Sequence, residues 1–284
     1  MVIIRLSGGL GNQMFEYALY LSMKARGKTV KIDDISDYQA SDRRPRQLCI
    51  FDASYEKASR EEVIELTDSS MDLFSRIRRK ITGRKDLSYR EKDMEYDSLV
   101  FEKDPVYLTG NFQSEAYFAD IKDKVRNSFL FKNISVPEVY QKYQTAIDKT
   151  LSVSVHIRRG DYLDPSHQGI YEGICTCEYY EKAISFIQNR YPEACFYLFT
   201  NDVEWTKKNL SGTGRIIVEG GSEETGYLDM YLMSRCRHNI IANSSFSWWG
   251  AWLNTNPEKI VVAPSKWLNG RECRSIYTED MIRI

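Results

Sequence analysis

The segment His156-Ile157-Arg158-Arg159-Gly160-Asp161 sets an imidazole, two neighbouring guanidiniums and a carboxylate directly after Ser152-Val153-Ser154-Val155. A β-branched run of this kind reads as a buried strand, and ligands of an open α/β sheet collect at the carboxyl ends of its strands. Guanidinium forks match phosphate oxygens in pairs. Arg158 and Arg159 therefore point to a multiply charged anion such as a pyrophosphate, although an Arg-Arg pair taken alone suits a solvated turn equally well. Asn243-Ser244-Ser245-Phe246-Ser247 offers the same chemistry from the backbone. Small hydroxyl residues opening a helix present N–H groups and a favourable dipole end to an anion, and ordinary capping needs only one of them. Asn201-Asp202 and Glu219-Gly220-Gly221 end two further strands in polar groups.

A second candidate is the turn Gly8-Gly9-Leu10-Gly11-Asn12-Gln13. With Asp33 about 20 residues on, it has part of a dinucleotide fingerprint, but the third glycine position is Met14. Gly9 and Gly11 allow close approach of backbone to a ligand, with the Asn12 and Gln13 amides in reach of it. A tight strand-to-helix turn is the plainer alternative. The P-loop pattern is absent, as is an Asp-x-Asp pair at a strand end. The six cysteines lack the paired spacing of a zinc site. With no metal set in view, paired arginines are the groups left to neutralise a departing pyrophosphate.

Two α/β units are needed to position these groups. The first, residues 1–150, opens with strand Val2 to Leu6, helix Asn12 to Arg26 and strand Thr29 to Ile32, a β-α-β unit whose strands should be parallel. Residues 34–108 read as an irregular, charged helical insertion, and Val106 to Thr109 as a return to the sheet. The second unit, residues 151–284, alternates strands at 153–157, 196–200, 215–218, 239–242 and 259–263 with helices, which predicts a parallel doubly wound sheet. Trp248, Trp249 and Trp252 read as helix core. Apolar residues at 42%, charged residues at 28% and a net charge of −1 describe an ordinary globular chain with no basic field for nucleic acid. The local exception is the basic region Arg76 to Lys85, which suits a solvated face or an anionic membrane surface.

Four segments together resemble the bacterial α-1,2-fucosyltransferases of glycosyltransferase family 11: Gly8 to Phe15, His156 to Asp161, Thr200-Asn201-Asp202 with Trp205, and Ser244 to Trp252. Gly110 to Phe118 resembles a family segment too, so the likeness spans most of the chain. The resemblance implies a GT-B fold, two Rossmann-like domains facing across a cleft with the donor site in the C-terminal one. It implies inverting transfer of L-fucose from GDP-fucose to the 2-hydroxyl of a terminal galactose, without an obligatory metal or other cofactor. Arg158 would then stabilise departing GDP, His156 would lie near the nucleoside and Asp229 would read guanine. Ser244, Ser245 and Ser247 would hold the phosphates beside Asn243, and Asn12 and Gln13 would close on the donor from the other domain. Arg159 and Asp161 could instead brace their loop. Glu16 stands where many relatives have glutamine. The catalytic base is left among Asp161, Asp164, Glu115 and Glu172.

Two other functions fit parts of the chain: an NAD-dependent epimerase or oxidoreductase using the glycine turn, and a glycan-binding protein that has lost catalysis. The first gives Arg158 and Arg159 no task, and the second is at odds with the intact arginine and serine motifs. No stretch approaches the roughly 20 apolar residues of a membrane span. Met1 to Ile4 reads as a strand interrupted by Arg5, not as an export signal. The expectation is a cytoplasmic enzyme with reduced thiols, one that would sit at the inner membrane if its acceptor is lipid-linked. Neither the acceptor glycan nor the oligomeric state can be read from the sequence.

Overall fold

The computed structural model describes residues 1–37, 46–51, 53–132, 134–163, 169–222 and 224–284, leaving aside the side chains of residues 161 and 163. The chain divides into two compact units, Met1–Leu130 and Phe131–Ile284. Both are α/β units with parallel sheets, the Rossmann-like parts expected of a GT-B chain.

The first unit begins with β1 (Val2–Arg5), α1 (Leu10–Ala25) and β2 (Val30–Asp33). Two helices follow, α2 (Arg60–Thr67) and α3 (Leu73–Thr82), then β3 (Ser88–Arg90), β4 (Val106–Thr109) and α4 (Lys122–Ser128). The sheet order is β2-β1-β4-β3, with Val2 opposite Val30 and Arg5 opposite Asp33. Helix α1 forms because Met14, Ala18 and Leu21 repeat at helical spacing and are buried together. It ends where Gly27 turns to φ +78°, a conformation that glycine adopts at no steric cost. The expected insertion contains α2, whose Ser59 and Glu62 form a reciprocal capping box.

The second unit starts twenty residues before the boundary read from the sequence. Helix α5 (Glu138–Lys149) belongs to it. It is followed by β5 (Ser152–Ile157), α6 (Cys177–Gln188), β6 (Cys195–Thr200), α7 (Val203–Leu210) and β7 (Arg215–Val218). Next come α8 (Gly226–Arg235), β8 (His238–Ile240), α9 (Ser245–Leu253), β9 (Val261–Ala263) and β10 (Met281–Arg283). All the pairings are parallel, in the order β10-β9-β8-β5-β6-β7. Strand β5 is buried along its whole length, and Val153, Val155 and Ile157 share one apolar cluster with Ile184, Leu198 and Ile240. From β5 the chain first builds outward through β6 and β7, then returns to the other side of β5 for β8, β9 and β10. The sheet therefore reverses direction between β5 and β8, and ligands of open α/β sheets bind beyond such a switch point.

Candidate functional site

The switch point of the second unit is where His156, Arg158 and the start of α9 meet. His156 is the fifth residue of β5 and is buried. Burial, with the nearby Arg158 charge as a second cause, holds its imidazole down to about 3, so the ring is neutral. Its Nδ1 is buried and bonds to no described residue. Buried polar atoms are nearly always paired, and this nitrogen is one of six buried side-chain polar atoms among the described residues that are not. The ring lies 5.5 Å from that of Phe246, in the first turn of α9. Arg158 follows β5 with its guanidinium 5.7 Å from the centre of the Tyr162 ring. Tyr162 stacks on Tyr171 at 4.1 Å and donates its hydroxyl to the Asn243 carbonyl at 2.8 Å. One aromatic chain thus ties the loop after β5 to the loop after β8.

The serine segment divides into two kinds of residue. Ser244 is the N-cap of α9, yet its hydroxyl does not bond to the helix's first N–H groups. Those donors and the dipole end suit an anion. Ser245 is half-buried in the first turn. Asn243 and Ser247, expected at the donor, have their side chains bonded within the unit. The Asn243 amide donates to the Trp267 carbonyl at 3.0 Å and accepts from the Cys175 thiol at 3.3 Å. The Ser247 hydroxyl is buried against the carbonyls of Ser244 and Ala242, at 3.3 and 3.4 Å. Behind them the tryptophans are core: Trp248 is fully buried, meets Trp249 edge-on at 5.0 Å and donates to the Ile276 carbonyl at 2.7 Å.

Asp229 lies in the first turn of α8. Tyr140 of α5 donates its hydroxyl to the carboxylate at 3.1 Å. A Cβ on Gly221 would stand 3.0 Å from the same carboxylate and 3.3 Å from the tyrosine oxygen, so glycine lets this loop close over both. Burial pushes the Asp229 carboxyl up to about 7, and the Tyr140 hydrogen bond only partly opposes it. Phe246, beside His156, also packs near Gly226 at the start of α8, which joins this corner to the switch point. Tyr140 was not among the candidates. Its sequence signal was the stripe Tyr140, Tyr143 and Ile147, all buried on α5. Tyr162 and Tyr171 had no comparable signal.

Arg159 takes a different path from Arg158. Its N–H donates to Asn201 Oδ1 at 2.9 Å, its Nε pairs with Asp202 at 3.3 Å, and its guanidinium lies 4.0 Å from the centre of the Trp205 ring. Asp202 also caps α7 by accepting from the Trp205 N–H at 3.0 Å. Arg159, Asn201 and Asp202 thus lock the β5 and β6 loops together. Among the described residues Arg159 pairs with Asp202; the brace expected between Arg159 and Asp161 lies outside them, because the Asp161 side chain is not described. Among the base candidates, Asp164 lies outside the described residues, as does the side chain of Asp161 in the turn Gly160–Leu163. Glu172 is exposed, and Glu115, in the first unit, pairs with Lys122 at 2.8 Å.

In the first unit the glycine turn is held from within. Gly8 has φ +66°, and a Cβ there would meet the Asn12 amide at 2.7 Å. Gln13, expected at the donor, is buried; its amide donates to the Gly8 carbonyl and accepts from the Gln47 N–H, both at 2.9 Å. Asn12 bonds to Asn111 and Gln113 at 3.2 and 2.9 Å. Gly9 is the N-cap of α1, and Gly11 is buried in its first turn. Glu16 faces inward and accepts from the Ser7 N–H and hydroxyl at 2.8 and 2.6 Å. Burial raises its carboxyl well above the usual range. Asp33 is buried, accepting from the Tyr107 hydroxyl at 2.7 Å and from two backbone N–H groups, so it is not presented to a ribose as a dinucleotide site would require. Among the described residues no group of three His, Cys, Asp or Glu is arranged to hold a metal ion.

The model of the family "Glycosyl transferase family 11" matches residues 86–283. An Escherichia coli alpha-1,2-colitosyltransferase is 34% identical over 96% of this chain and 94% of its own length. The E. coli O-antigen biosynthesis glycosyltransferase WbnK is 32% identical over 98% of this chain and 99% of its own. The human galactoside alpha-(1,2)-fucosyltransferase 1 is 27% identical over 53% of this chain and 44% of its own.

Proposed function

Because the chain belongs to glycosyl transferase family 11, we propose that this glycosyltransferase moves L-fucose from GDP-fucose to the 2-hydroxyl of a terminal galactose with inversion, in the assembly of a bacterial surface glycan. The observation that carries this reading is one cluster at the switch point: the His156 ring 5.5 Å from Phe246 in the first turn of α9, and Arg158 over Tyr162, whose hydroxyl bonds to the Asn243 carbonyl just before that helix. There the acceptor oxygen attacks the anomeric carbon as that carbon's bond to the diphosphate breaks; GDP leaves with the bonding electron pair, and the hydroxyl proton passes to a carboxylate among the base candidates or to solvent. Arg158 and the first N–H groups of α9 take up the negative charge that develops on GDP. This assigns the neutralising role to a resident guanidinium, and the reaction is proposed to proceed without an obligatory metal. Ser244 and Ser245 flank the phosphates, His156 faces the nucleoside through Nδ1, and ionised Asp229 accepts from the guanine N1–H and N2–H₂ edge. Six free cysteines suit a reducing, cytoplasmic setting.

The test is transfer itself. Purified protein, GDP-fucose and a panel of galactose-terminated acceptors should release GDP, with the new linkage assigned by NMR. Arg158→Ala should lower kcat by about 10²–10³, or roughly 3–4 kcal/mol, while leaving the melting temperature near that of the wild type. Unchanged turnover in that variant would overturn the assignment. One relative supports a second donor: the colitosyltransferase is 34% identical over nearly the full chain, and colitose is fucose without its 3-hydroxyl. Parallel assays with GDP-fucose and GDP-colitose decide between them by kcat/KM.

A further inference from the structure

Helix α3 is a well-formed helix with its apolar face turned to solvent. Leu73, Phe74, Ile77 and Ile81 fall within an arc of roughly 100° at helical spacing. Phe74 is 85% exposed, Ile81 77% and Leu73 66%, and Met71 before them is 82% exposed. The helix is held from its other side. Asp72 caps it by accepting from the Ser75 N–H at 2.9 Å. Arg78 and Arg79 pair with the buried Asp68, and Arg79 also donates to the Asp68 and Ser70 carbonyls at 3.0 and 2.6 Å. A ten-residue helix is marginal in water unless its apolar face is covered, and here only the polar back is engaged.

The charge around that face indicates what covers it. Residues 68–86 carry six cations against three carboxylates, in a chain whose net charge is −1; Asp68 pairs with Arg78 and Arg79, and Asp86 lies 3.7 Å from Arg84. Arg76 and Lys80 flank one edge of the apolar arc, Arg78 the other, and Arg84 and Lys85 follow the helix. Two copies meeting through this face would bring two net-positive surfaces together. An anionic surface meets both the apolar arc and its basic flanks.

We propose that α3 is an interfacial anchor that lays this protein on an anionic phospholipid bilayer, with Phe74 and Ile81 in the acyl boundary and the flanking cations at the headgroups. The inference stands on α3 alone and does not depend on the sugar transferred. The full-length protein is sedimented with vesicles of phosphatidylglycerol and phosphatidylcholine in equal parts, and with phosphatidylcholine alone, at low and high salt. Binding is expected on the anionic vesicles, falling with salt and weak on the neutral ones. Phe74→Ser with Ile81→Ser should lower the partition coefficient more than tenfold, and Arg76→Gln or Lys80→Gln about fivefold each. Because these residues are exposed, melting temperatures should stay within a degree or two of wild type. Failure to bind either vesicle, equal binding to both, unchanged binding by the double serine variant, or a self-association that this variant abolishes in place of vesicle binding would each overturn the proposal.

Discussion

Asp229 gives the sharpest test of how the nucleotide is read. In the free protein, burial raises its carboxyl to about 7, with Tyr140 pulling the other way. Only the ionised form can accept two N–H donors from guanine, so under the proposed role of Asp229 GDP binds to the deprotonated fraction. A group at about 7 is roughly one-tenth ionised at pH 6 and nine-tenths at pH 8, so affinity for GDP should rise about tenfold across that span, or about 1.4 kcal/mol. Calorimetry in buffers of different ionisation heat should find about half a proton released per GDP at pH 7. The sign for stability runs the opposite way. The folded value lies above the unfolded 3.8, so this group's contribution is complete below pH 4 and is lost as pH rises toward and through 7. The ligand-free melting temperature should therefore decline over that window, and Asp229→Asn should remove this decline. The GDP phosphates also titrate near pH 6, so the decisive quantity is the difference in slope between wild type and Asp229→Asn. Equal slopes in the two proteins would refute the argument.

Arg159→Ala should act on stability more than on binding. It removes a partly exposed ion pair with Asp202 and the cover over Trp205, together worth about 1–2 kcal/mol. Denaturant midpoints should fall while the Kd for GDP changes less than about threefold; a loss as large as that of Arg158→Ala would return Arg159 to the donor site. Glu16→Gln should flatten the pH dependence of the first unit. The folded carboxyl holds its proton well above the usual 4.5, so wild-type stability is lost as pH rises above that value. The variant should be at least as stable as wild type at pH 8 by thermal melting, and a less stable variant there would show that the charged carboxylate supports the turn.

What the sequence made legible follows from where its signals are local. Each central strand of the second unit is an apolar run closed by polar or glycine residues, so β5, β6 and β7 were readable with Arg158 at a strand end. Strand β10 was not, because Met281-Ile282-Arg283 is short and reaches β9 after a long irregular stretch. Strand β3 is three polar or aromatic residues at a sheet edge, with no alternation to reveal it. The extent of the second unit was hidden for a related reason. The stripe on α5 shows that one face is buried, but not that Tyr140 and Tyr143 bond to Asp229 and to the Ile217 carbonyl, at 3.1 and 3.4 Å.

The same limit explains the site. Arg158 and Arg159 are chemically alike and adjacent, yet one stands over Tyr162 while the other is committed to Asp202, 43 residues away in sequence. Asn243 and Ser244 are likewise neighbours, but the first has its amide bonded at both ends and the second caps α9 through its carbonyl while its hydroxyl makes no capping bond. Residue type locates a polar cluster; which members are spent inside the protein is decided by strand order, and strand order is not written in local sequence. The order β8-β5 brings the ends of two strands that lie over 80 residues apart to one edge. That adjacency, more than any single motif, gathers the polar ends of distant strands at one edge of the sheet.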